Sequence, residues 1–309
     1  LFKNRAFPEG EEECYANLLP IGKKIVQKCE GLPLAVKILG SLLRLKREES
    51  EWSYVQESEL WNLYEGENRI LSVLWLSYNH LSSRLKRCFA YCSLFPKNYE
   101  INKEKLIYLW IAEGLIQSSS DRNSLRMEDT GNEYFNDLLW MSFFQGVSKS
   151  DDSSMTEFKM HDIIHDLAQS VAGNEFLKLE HHSSQSSVHQ SHHSLEACGN
   201  LGQTRHALVV SNFNSSLLPE ALYEAKKLRT LILLSPINAT GEEFPMGISS
   251  FKRLRVLNLS GCGIERLHKS IGDFIHLRYL DLSNNVFENL PATICHLYNL
   301  QTLNLSSCN

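Results

Sequence analysis

Leu254-Arg255-Val256-Leu257-Asn258-Leu259 returns 23 residues later as Leu277-Arg278-Tyr279-Leu280-Asp281-Leu282, and after 23 more as Leu300-Gln301-Thr302-Leu303-Asn304-Leu305. Each copy reads L-x-x-L-x-L-x-x-(Asn/Cys), with Cys262, Asn285 and Cys308 at the ninth position. That is the period and spacing of a leucine-rich repeat. The leucines alternate as strand residues do, so one copy cannot bury them and must stack on a neighbour. The return segment repeats as well: Ile264, Leu267, Ile271 and Phe274 correspond to Phe287, Leu290, Ile294 and Leu297. Leu228 to Leu233 fits as an earlier strand at a longer spacing, and Thr204 to Val210 reads as an irregular first one.

The residues between the leucines, Arg255, Asn258, Arg278, Asp281, Gln301 and Asn304, are expected on the concave strand face, where such solenoids hold protein partners. Function in this region is expected to be binding instead of chemistry.

Charge narrows the partners. With 31 basic and 36 acidic residues among 309, the net charge of −5 leaves no electrostatic footprint for nucleic acid. No apolar run reaches the ~18 to 20 residues of a membrane-spanning helix, and no signal peptide precedes the first helix, so a cytoplasmic location is expected. Reduced thiols are then the default. Cys88 and Cys92 stand at i and i+4 in an aromatic helical segment and read as packing groups, while Cys262 and Cys308 fill the small slot of the repeat.

Upstream of the repeats the pattern is helical. Residues 11 to 48 show helical spacing at Cys14, Leu18, Leu19, Ile25 and Val26, broken at Gly31-Leu32-Pro33 and resumed from Leu34 to Leu45. Pro33 suits the first turn of the second helix, where a missing N–H costs nothing. Further helices are expected over Ile70 to Tyr78, Leu85 to Phe95, Lys103 to Leu115 with closure at Gly114, and 128 to 144. Phe144 to Val147, a polar turn at Lys149 to Ser154, and Met155 to Met160 read as a hairpin. Helices followed by a small hairpin describe a winged helix, which does not by itself mean DNA binding.

From His181 to Gly202 serine and histidine dominate, including His181, His182, His189, His192 and His193; this tract is expected to be a linker without fixed metal geometry. His161-Asp162-Ile163-Ile164-His165 resembles the zinc-protease spacing H-E-x-x-H, with Glu175 and Glu180 as the nearby third ligands. Aspartate at the general-base position is one methylene short, so a solvated helix face at His165 and Asp166, with Ile163, Ile164 and Leu167 inward, is the expectation. Neither G-x-x-x-x-G-K-[ST] nor G-x-S-x-G occurs, so no catalytic residue is assigned and the chain is read as not an enzyme.

Taken in order, the segments resemble the coiled-coil class of plant NLR disease-resistance proteins. Leu1-Phe2-Lys3-Asn4-Arg5-Ala6-Phe7 is similar to the end of that family's third nucleotide-binding motif. Cys29-Glu30-Gly31-Leu32-Pro33-Leu34-Ala35 matches its GLPLA motif. Leu76 to Leu81 and Leu85 to Pro96 resemble the next motif, with Ser82 where proline is common, and Met160-His161-Asp162 matches MHD. The chain starts at Leu1, not methionine, and is read as a fragment.

The resemblance implies a mainly α helical subdomain and a winged-helix subdomain followed by an α/β leucine-rich-repeat solenoid. It divides the chain into residues 1–66 (end of the nucleotide-binding region with the GLPLA subdomain), 67–178 (winged helix ending in MHD), 179–203 (linker) and 204–309 (first repeats). It further implies an ADP/ATP-dependent switch in defence. Pro33 and Leu34 would pack against the adenine-ribose region and His161 would donate to the ADP β-phosphate. The implied partners are a pathogen effector or guarded host protein and the intramolecular nucleotide-binding domain, with oligomerisation on activation of the complete protein. The alternative reading is a leucine-rich-repeat protein-binding adaptor with a vestigial nucleotide site.

Overall fold

A computed structural model describes residues 1–7, 15–62, 69–117, 126–147, 157–181, 201–211, 218, 220–234 and 247–308. Cys14, the hairpin turn at 149–154, Met155, and the linker histidines His182, His189, His192 and His193 lie outside these. The chain divides into two compact units, residues 1–105 with 129–171, and residues 106–128 with 172–309. The stretch expected as one winged-helix segment, 67–178, is therefore shared between them.

In the first unit, α1 (Phe2–Ala6) packs on α3 (Pro33–Arg44), and α2 (Leu19–Lys28) packs on α4 (Glu49–Glu57). The α1 contact is close because α3 has Gly40 there: a Cβ on Gly40 would meet Arg5 Cβ at 2.8 Å and the Phe2 carbonyl oxygen at 3.3 Å. Phe7 stacks on buried Trp52 at 5.5 Å, and Phe2 meets the same indole edge-on at 6.1 Å. The sequence pattern did not show α4, since only Trp52 and Val55 of it are buried and its start rests on a Glu48–Glu51 capping box.

Next come α5 (Arg69–Asn79), α6 (Ser83–Tyr91) and a single 3-10 turn, Cys92–Leu94. Ser82 caps α6: its hydroxyl accepts the Leu85 N–H at 3.3 Å, satisfying a first-turn donor where the resembled family more often has proline. Cys88 and Cys92 are buried, unpaired with each other, and burial pushes the Cys88 thiol up to about 12, which keeps it unreactive at neutral pH.

After α8 (Met127–Trp140), β2 (Gln145–Val147) and β3 (Glu157–Lys159) form the expected antiparallel hairpin. A third strand, β1 (Ile101–Asn102), adds to the free edge of β3. Two residues leave no periodic signal, so β1 was illegible beforehand. Phe158 anchors this sheet among Phe135 at 4.9 Å and Phe144 at 4.4 Å. The hairpin leads into α9 (Asp162–Ala172).

The second unit is a six-stranded parallel sheet, β4 (Phe176–His181), β5 (His206–Ser211), β6 (Thr230–Leu234), β7 (Val256–Asn258), β8 (Tyr279–Asp281) and β9 (Thr302–Asn304), in chain order. The stack therefore starts one strand earlier than expected: β4 pairs in parallel with β5 and takes in residues 179–181 of the expected linker. Leucines 231, 257 and 280 and the return residues Ile264, Ile271, Phe274 and Leu297 share one buried cluster, as the repeat predicts. Each such side chain contributes roughly 1.5 to 3 kcal/mol on burial. Asn285 bridges adjacent turns: its amide donates to the Leu259 and Leu282 carbonyls at 2.9 and 2.8 Å, and its oxygen accepts the Ile264 N–H at 2.9 Å. No described helix is long and apolar enough to cross a membrane. The helix α7 (Lys103–Glu113) passes from the first unit into the second at Leu106.

Candidate functional site

The expected site residues fall in two places among the described residues, Pro33, Leu34 and His161 in the first unit and the polar strand residues on the repeats in the second. Pro33 opens α3 at its first position, preceded by Leu32 in extended conformation. Glu30 and Gly31 both adopt positive φ, 49° and 80°, and turn the chain between α2 and α3. Pro33 is exposed and Leu34 half-buried, while Ala35 and Val36 sink into the core.

His161 is exposed and holds the N-terminus of α9, its carbonyl accepting the Ile164 and His165 N–H groups at 2.9 and 3.0 Å. Its Nδ1 takes the Ile163 N–H at 3.4 Å. That bond places the ring proton on Nε2, a donor without a hydrogen-bond partner among the described residues, at the positive end of a helix. Asp162 is the first helical residue and accepts from the Asn98 amide at 2.9 Å. Among the described residues no hydrogen bond, ion pair or ring contact joins Pro33 or Leu34 to His161.

His165 corrects the expected solvated face. It is 2% exposed, and its Nε2 lies 2.7 Å from the Phe95 carbonyl oxygen. Asp166 is exposed and pairs with Lys97; Ile164 and Leu167 are buried and Ile163 half so. The two histidines therefore stand in opposite environments, which removes the geometry of a shared zinc. Glu175 pairs with Arg205 at 3.1 Å, and Glu180 lies in β4. Among the described residues no three His, Cys, Asp or Glu side chains group as metal ligands.

On the repeats the six expected partner-binding residues separate. Asn258 and Asp281 are buried, 1% and 0% exposed, and bond within the sheet instead of presenting themselves to a partner. Asn258 Oδ1 accepts the Ser260 N–H at 3.0 Å. Asp281 Oδ1 accepts from the Ser283 hydroxyl at 2.6 Å and the Asn304 amide at 3.1 Å, and its Oδ2 from Tyr279 Oη at 3.1 Å. Gln301 is exposed; Arg255, Arg278 and Asn304 are half-buried.

The residue that sequence reasoning missed is Glu113. It ends α7, is 3% exposed, and its Oε1 accepts from the Thr230 hydroxyl at 2.7 Å with His206 Nδ1 at 3.8 Å. Arg255 Nη1 donates to the Glu113 backbone oxygen at 2.7 Å. Burial raises the Glu113 carboxyl above its ordinary value; the Thr230 bond and the Arg255, Arg229 and Arg278 guanidiniums oppose that rise. A lone glutamate ending an apolar helix carries no signal in sequence, because its partners lie more than ninety residues away.

Known proteins agree with this architecture. A family model described as the disease resistance protein winged helix domain matches residues 94–168, and a leucine-rich repeat region model matches 227–309. Putative disease resistance protein RGA1 of Solanum bulbocastanum is 42% identical over 261 residues, 84% of this chain and 24% of that protein. RGA4 of the same species is 42% identical over 273 residues, 88% of this chain and 23% of that protein. This chain belongs to the plant disease-resistance protein family. Putative disease resistance RPP13-like protein 1 of Arabidopsis thaliana is 37% identical over 277 residues, 86% of this chain and 24% of that protein. The chain thus spans about a quarter of the length of these disease-resistance relatives.

Proposed function

We propose that this chain is the part of an intracellular plant immune receptor that couples a nucleotide switch to its recognition repeats. In the complete cytoplasmic protein, Pro33 and Leu34 would pack against the adenine-ribose portion of ADP and His161 would donate its Nε2–H to the β-phosphate. Exchange for ATP would remove the bond that holds the closed state, and differential affinity for the two states is what a switch requires. The repeats would serve autoinhibition through the nucleotide-binding domain and recognition of an effector or guarded host protein, with oligomerisation following activation. No residue of this chain is assigned a catalytic step.

The observation that carries this reading is the state of His161. The imidazole stands at the start of an 11-residue helix with Nδ1 already bonded to the Ile163 N–H, so the remaining nitrogen is a donor where an anion is favoured. A phosphate oxygen is the acceptor that suits such a group, through a charge-assisted bond. Calorimetry with ADP on the full-length protein tests it. A loss of affinity of about tenfold or more on His161→Ala, equivalent to ~1.4 kcal/mol, is expected. Equal affinity of the variant would remove the switch role, and absence of any ADP binding would favour the adaptor reading, in which the repeats alone carry the function.

A further inference from the structure

We propose that Arg205, Arg229, Arg255 and Arg278 form a docking strip for an acidic segment of a protein partner, on which the last turn of α7 already occupies one place. All four stand at one level of the solenoid, at the entry to β5, β6, β7 and β8. The backbone ties them in series: the Arg229 and Arg255 N–H groups each donate at 2.7 Å to the arginine carbonyl of the preceding strand, Arg205 and Arg229, and Arg278 donates to Arg255 at 2.8 Å. Gln301 takes the next place and ends the strip.

Stacking like charges at a strand spacing of ~4.8 Å is unfavourable unless anions answer them. Burial, and after it the neighbouring Arg255 charge, pulls the Arg229 guanidinium below its ordinary value. Among the described residues two carboxylates answer the row, Glu175 on Arg205 and Glu113 near Arg229, Arg255 and Arg278. Four guanidiniums against two carboxylates leave two charges over. Asp281 does not make up the difference, because its oxygens are taken by Tyr279, Ser283 and Asn304.

The α7 terminus shows how the strip holds an acceptor. A Cβ on Gly114 would lie 3.6 Å from Arg278 Nη1 and 3.7 Å from Arg255 Nη1, so two guanidiniums close on one point beside the Glu113 carbonyl that Arg255 already bonds. Among the described residues the guanidiniums of Arg229 and Arg278 make no hydrogen bond, and their forked donors match carboxylates. These two are separated by two strand spacings, ~10 Å, close to the ~9 Å between side chains i and i+3 on one face of a polyproline II segment, which has three residues per turn at ~3.1 Å each. The strip thus fits carboxylates at i and i+3 of a polyproline II segment.

The probe is a synthetic nonapeptide of glycine and serine with glutamates at i and i+3, titrated into the full chain by fluorescence anisotropy beside its glutamine counterpart. The glutamate peptide is expected to bind and to weaken as salt is raised. R229Q/R278Q is expected to reduce affinity about tenfold and R229K/R278K less, since lysine keeps charge without the fork. Far-UV circular dichroism checks that each variant folds, and the lysine pair carries the test should the glutamine pair not. Binding of the glutamine peptide as tight as the glutamate one, or affinity untouched in both double variants, overturns the proposal. Displacement of the glutamate peptide by equimolar pyrophosphate or duplex DNA also overturns it, in favour of a phosphate-bearing ligand.

Discussion

Thr230 donates its hydroxyl to Glu113 Oε1 across 2.7 Å, although 117 residues separate them in the chain. The bond fastens the end of α7 to the third strand of the repeat sheet and takes a buried carboxylate as its acceptor. Replacing Glu113 by glutamine keeps an acceptor and removes the charge, so it isolates the ionisation. The wild-type carboxyl is raised in the folded state by burial, so its contribution to stability is fully present below its unfolded value near 4.5 and fades as pH rises through the higher folded value. The stability of wild type relative to Glu113→Gln is therefore expected to be greater at pH 4.5 than at pH 7.5, measured by urea unfolding at both. A difference independent of pH would show that the carboxyl is not raised.

Asn285 is expected to be the costliest polar truncation in the repeats. Asn285→Ala leaves the Leu259 and Leu282 carbonyls and the Ile264 N–H without their side-chain partner, a loss of about 2 to 4 kcal/mol in thermal unfolding. Asn285→Cys should cost less, because Cys308 at the same repeat position already directs its thiol to the Leu282 carbonyl at 3.2 Å.

Gly40→Ala opposes two effects on α3. Helix propensity favours alanine by about 1 kcal/mol. The added methyl would meet Arg5 Cβ at 2.8 Å, and relieving that overlap costs about 1 to 3 kcal/mol. A lower melting temperature is expected, together with faster hydrogen exchange in α1; a higher one would mean that α1 yields freely.

The two histidines of the His161–His165 pair are expected to part in their behaviour. His165→Ala removes a buried ring and its bond to the Phe95 carbonyl and should cost about 2 to 4 kcal/mol, whereas His161→Ala, at an exposed helix start, should change stability by less than about 1 kcal/mol. Calorimetric unfolding of the two variants separates them.

Much of the fold was legible because its signals are local. The 23-residue period exposed the stacked strands, Pro33 and Gly114 marked a helix start and a helix end, and Phe144 to Met160 read correctly as a hairpin. The short strand β1 and the first repeat strand β4 were not readable, since Ile101-Asn102 has no period and Phe176 to His181 lacks the leucine template. The candidate site was legible only in part: strand alternation put Arg255 and Arg278 at half-buried positions at the strand entries, while Asn258 and Asp281 proved buried.

By itself, the sequence determined the elements whose cause lies within a few residues: helix period, turn chemistry, strand alternation and the repeat that obliges strands to stack. Tertiary structure alone decided which polar groups face water. His165 went into the core, Asp281 was spent on its neighbours, and Glu113 was brought under a row of arginines from other strands. Solvent exposure and electrostatic neighbourhood are properties of what packs from far along the chain, and no local pattern encodes them.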